Sequence, residues 1–133
     1  MKYVKLIAVL FLLSLTGCAA LIGAGAGAGA GVTGYRFIEG ELEVNYTKPY
    51  EQVWQATNMA LKDLEMAIEE SEKDQLDAKV KALRADGTKV VIKLKRRPSG
   101  ITRVGIRVGM FGDQEASDFI ERAIERNLGI KSP

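Results

Sequence analysis

Residues 78–83 read AKVKAL, residues 90–95 read VVIKLK and residues 102–108 read TRVGIRV. Ala78, Val80 and Ala82 alternate with Lys79, Lys81 and Leu83, and Val90, Ile92 and Leu94 alternate with charged Lys93 and Lys95. Thr102, Val104, Ile106 and Val108 would point one way, Arg103, Gly105 and Arg107 the other. A period of two belongs to strands with one buried and one wet face. Asp86-Gly87 between the first two runs is a hairpin signal, and Pro98-Ser99-Gly100 turns the chain between the second and third.

Working outward, Glu41 to Tyr46 alternate in the same way and predict another strand, and Ala67 to Ser71 a short one. Thr47 is placed to cap a helix with Pro49 in its first turn. Tyr50, Val53, Trp54, Thr57, Ala60, Leu61 and Leu64 then recur at three and four, with Trp54 as a core anchor. Past a Gly109–Gly112 loop, Asp113 is a plausible N-cap. Ala116, Phe119, Ile120, Ala123, Ile124 and Leu128 trace a second amphipathic helix that Gly129 ends. The expected order is β-α-β-β-β-β-α, an α+β fold with a mostly antiparallel sheet and both helices on one face. Tyr35 and Phe37 are expected in strand near the sheet's edge.

The N-terminal quarter differs. Met1 to Lys5 is basic, Leu6 to Leu15 is apolar and too short to cross a bilayer as a helix, and Thr16-Gly17-Cys18 follows. This is the pattern of a secretory signal, and Leu15-Thr16-Gly17-Cys18 resembles the lipobox of bacterial lipoproteins. That resemblance implies signal peptide 1–17, lipidation of Cys18 and a membrane anchor through it, since two or more acyl chains hold where one does not. Ala19 and Ala20 supply no acidic retention signal, which by analogy favours the outer membrane, with the domain in the periplasm. Gly and Ala alternate from Gly23 to Gly31, too glycine-diluted for a stable helix, so residues 18–34 read as a linker and 35–133 as the domain. The alternative is a membrane-inserting glycine zipper through Gly23, Gly27 and Gly31.

The 133 residues include one Cys and no His, so the chain has no Ser/His/Asp triad, Cys/His dyad, zinc cluster or internal disulfide framework. A non-enzyme without cofactor is expected. Glu69, Glu70, Glu72, Asp74 and Asp77 form an acidic patch, but without the spacing of an EF-hand loop. Charge is polarised: residues 78–107 hold ten basic side chains against Asp86 alone, and the rest of the chain after Gly17 carries the balancing excess of nine negative charges.

On alternating strands, Lys79, Lys81, Lys93, Lys95, Arg103 and Arg107 should share the sheet face turned away from the helices. They form either a platform for an anionic envelope component or acidic protein, or a solvated face with cross-strand ion pairs. Nucleic acid is not expected, because no aromatic residues interleave the basic ones. The loop Gly109-Met110-Phe111-Gly112-Asp113 either presents Met110 and Phe111 to a partner or is a structural turn, with Phe111 on the core and Asp113 on the helix.

Gly40-Glu41-Leu42, Trp54 with Ala56, Ala60-Leu61, Ile106-Arg107-Val108-Gly109 and Phe111-Gly112-Asp113 with Ser117 together resemble an uncharacterised family of small bacterial lipoproteins with a domain of unknown function. The likeness runs along the whole chain. It implies an envelope location and a compact exported domain, and brings no activity, substrate or cofactor.

Overall fold

The computed structural model describes residues 3–9 and 31–130. Residues 3–9 are helical. Among the described residues no helix is long and apolar enough to cross a membrane. The lipobox, Cys18 and the Gly/Ala tract up to residue 30 lie outside the described residues.

The folded part contains β1 (Val32–Ile38), β2 (Glu41–Tyr46), helix α1 (Tyr50–Asp63), β3 (Ala67–Lys73), β4 (Asp77–Leu83), β5 (Lys89–Arg97), β6 (Ile101–Val108) and helix α2 (Gln114–Leu128). Six antiparallel strands form one sheet in the order β1-β2-β6-β5-β4-β3. The period of two does the positioning. Leu42, Val44, Tyr46, Ala78, Val80, Ala82, Val90, Ile92, Leu94, Val104, Ile106 and Val108 are all buried on one face. The two helices pack on each other over it, α1 reaching β5, β3 and β6, and α2 reaching β6 and β2. The α+β class and the single helical layer are as the sequence indicates.

Three details differ. The order carries an extra strand in front, β1, which holds Tyr35 and Phe37 and begins at Val32, inside the segment expected to be linker. Its partner is β2, and Thr47 donates its backbone N–H to the Gly31 carbonyl at 2.8 Å. Thr47 therefore serves the sheet and does not cap α1, whose N-cap is Pro49 without a side-chain bond. On α2, Phe119 turns out to solvent while Ser117, Glu121 and Glu125 are buried.

Both helices end alike, and the endings account for the lost periodicity after Leu64. Glu65 and Gly129 adopt left-handed backbone (φ 57° and 75°). Met66 N–H then reaches back to Leu61 O at 2.9 Å, and Ile130 N–H to Glu125 O at 2.9 Å. This six-to-one closure satisfies the last carbonyls and redirects the chain.

Candidate functional site

Among the described residues of the domain no helix covers the outer face of the sheet, and strand register arranges its charges in transverse rows. One row runs Glu72, Lys79, Lys93, Gly105, Glu43, Arg36 across all six strands. Its neighbour runs Asp77, Lys95, Arg103, Asn45, Gly34. A third contains Glu70, Lys81, Val91 and Arg107. The six predicted cations occupy β4, β5 and β6; carboxylates flank them on β3 and β2 and, as Asp77, at the start of β4, and Arg36 on β1 closes the first row.

All six predicted cations are on this face, but not in the same state. Lys81 forms an ion pair with Glu70 at 3.1 Å, and that hydrogen bond holds the Glu70 carboxyl below its ordinary range. Arg103 donates to Asn45 Oδ1 at 3.2 Å and Arg107 to the Glu39 carbonyl at 2.8 Å. Among the described residues Lys79, Lys93 and Lys95 have no carboxylate within 4 Å. Lys79 lies directly opposite Lys93, and Lys95 directly opposite Arg103. Like charges so placed destabilise a sheet by a few tenths of a kcal/mol up to about 1 kcal/mol per pair. Gly105 contributes no side chain to the middle of this face, and the Glu41 carboxylate lies over it. The geometry suits electrostatic capture of an anion.

The 109–113 loop stands at the end of β6. Asp113 caps α2, accepting from Ala116 N–H at 3.1 Å. Phe111 does not sit on the core: it is 87% exposed and Met110 84%. The reason is backbone contact. Gly112 and Gly40, both at φ 81°, abut main chain to main chain, which closes the inward path and leaves the two apolar side chains outside.

One constellation escaped the sequence reading. Tyr46 Oη donates to Glu121 Oε1 at 2.8 Å, beneath α2, where Glu121 is 3% and Glu125 8% exposed. Burial, then the hydrogen bond with Glu125, pushes the Glu121 carboxyl up to about 8, against the opposing Tyr46 bond. Burial also drives the Tyr46 phenol upward, with Glu121 adding to it. The signal was present as Ser117, Glu121 and Glu125 at four-residue spacing beside an inward-pointing Tyr46, but charged residues read as an outer face. The cluster is buried between the sheet and α2, where a protonated Glu121 fits better than a charged one. Of the zipper glycines, Gly31 lies at φ 105° against Ile130 in the domain, a backbone no helix uses.

No curated protein matches the chain. A family profile does, over residues 2–127, from the N-terminal segment to the last turn of α2. The chain belongs to DUF3568, a family described as proteins of unknown function.

Proposed function

We propose that this chain is a lipoprotein of the bacterial envelope, anchored in the outer membrane through Cys18 with its domain in the periplasm. There it acts as a non-catalytic adaptor that holds a phosphate-bearing envelope component on Lys79, Lys93 and Lys95. One observation carries the binding part: two like-charge pairs, Lys79–Lys93 and Lys95–Arg103, sit side by side at the sheet's centre, and although Glu72 and Asp77 stand opposite Lys79 and Lys95, among the described residues no carboxylate comes within 4 Å of the three lysines. An external anion relieves that repulsion. Carboxylates on β3 and β2, with Asp77 at the start of β4, bound the basic strip, which favours a compact phosphate group over a broad anionic surface.

Reversing one lysine separates binding from folding. Lys93→Glu turns the Lys79 pair attractive, so the variant should be at least as stable as wild type, by up to about 1 kcal/mol in urea unfolding. It should at the same time lose most retention on lipopolysaccharide micelles, as should wild type on dephosphorylated micelles. Equal retention of both proteins on intact micelles rejects the anionic site. Intact-mass analysis of the membrane fraction tests the anchor through loss of residues 1–17 and acyl mass on Cys18.

A further inference from the structure

The two edges of the sheet are unlike. Strand β3 is guarded: it carries Glu69, Glu70, Glu72 and Lys73, and its pairing is broken by a bulge between Ile68 and Glu70. Charge and bulging are the usual protection of an edge against strand addition. Strand β1 carries a single charge, and its own bulge lies at its start, between Val32 and Gly34, so that pairing to β2 is regular from Gly34 to Ile38. Its one charge, Arg36, is neutralised by Glu43 at 2.8 Å. Its aromatic residues are incompletely covered, Tyr35 being 50% exposed and Phe37 half-buried, because α2 lies over β6 and β2.

We infer that β1 is the seam of a homodimer, in which two copies pair antiparallel about Tyr35 and join their sheets into one of twelve strands. The occupant is a second copy because β1 is complementary to itself. A two-fold axis at Tyr35 sets Gly34 opposite Arg36 on either side of it, clear of the bulge between Val32 and Gly34. It brings the two Tyr35 rings together on the helix side and places no like charges across the seam. Moving the axis to Arg36 would oppose two guanidinium groups. A two-fold contact also closes on itself, whereas joining β1 of one copy to β3 of the next would propagate without end. The axis stands perpendicular to the sheet, so both basic strips face the same way. The seam does not depend on what those strips bind.

The test uses the full chain in detergent, weighed by sedimentation equilibrium. Wild type should sediment at twice the chain's mass. Tyr35→Lys and Tyr35→Glu should each halve it, because each places like charges at the axis, while an equal mixture of the two should recover the doubled mass as a heterodimer. Retained helix and sheet signals in circular dichroism exclude unfolding as the cause, and Ile68→Lys on β3 should leave the dimer intact. A monomeric wild type overturns the inference. So does a dimer that survives Tyr35→Lys, or a Lys/Glu mixture that stays monomeric.

Discussion

Gly112→Ala should destabilise the domain by about 3 kcal/mol or more, read as a fall in the urea midpoint. Two effects add. The backbone at Gly112 is left-handed (φ 81°), which costs an alanine about 1–2 kcal/mol. The added Cβ would also run into the Gly40 main chain, and Gly40 is itself held between β1 and β2. Backbone cannot rotate aside as a side chain can, so the β1–β2 turn and the 109–113 loop must part. Gly100→Ala supplies the comparison. Gly100 has nearly the same backbone (φ 71°) with nothing within 4 Å of a Cβ, so it should lose only the conformational part. Equal losses at the two positions would show that the main-chain contact contributes nothing.

Raising the pH from 5 to 8.5 should weaken the fold by on the order of 3 kcal/mol through Glu121. In the folded chain this carboxyl titrates at about 8, against 4.5 for an ordinary glutamate. Below 4.5 both states hold the proton and the stabilisation is complete. Between 4.5 and 8 only the folded state holds it, so each unit of pH removes up to about 1.4 kcal/mol, and above 8 the loss levels off. The groups facing Glu121 are Tyr46 from β2 and Glu125 and Asp118 from its own helix, which supply no cation to offset the charge. Glu70 and Asp86, held below their ordinary ranges by bonds to Lys81 and Thr88, act in the opposite sense at the acid end. Glu121→Gln keeps an acceptor for Tyr46 and removes the titration. Its melting temperature should therefore change little from pH 5 to 8.5 and exceed that of wild type at pH 8.5. A wild-type profile as flat as the variant's would rule out proton storage at Glu121.

The sheet was legible because its strands obey one rule with few exceptions. Every inward residue assigned from alternation in residues 78–108 is buried. The helices were legible in extent and, with the exception of Phe119, in the apolar residues that face inward. Periodicity tracks hydrophobicity, so it placed Phe119 inside and overlooked Glu121, which is buried by pairing with a phenol and a second carboxyl. Strand β1 was only half visible, because Gly34 and the glycine run before it hide the alternation that Tyr35, Arg36 and Phe37 begin. The basic face followed from parity alone. Which of its lysines lack partners did not, since that depends on which strands become neighbours. Glu70 meets Lys81 through local β3–β4 pairing, whereas Arg103 meets Asn45 across nearly sixty residues.

Strand β2 sits beside β6, with Leu42 opposite Ile106, although α1, β3, β4 and β5 separate the two in sequence. Strands β3 to β6 pair with their successors and can form as a chain of local hairpins, but the β1–β2 hairpin has no central strand to join until β6 is in place. Non-local pairing of this kind is the slow event in folding and leaves strand edges open while it is awaited. The first hairpin to be synthesised is thus the last to be docked, and throughout that interval Leu42 and Val44 are bare. A chain delivered from its N-terminus passes through a stage in which both strands of its first hairpin are present and their partner strand has not yet arrived.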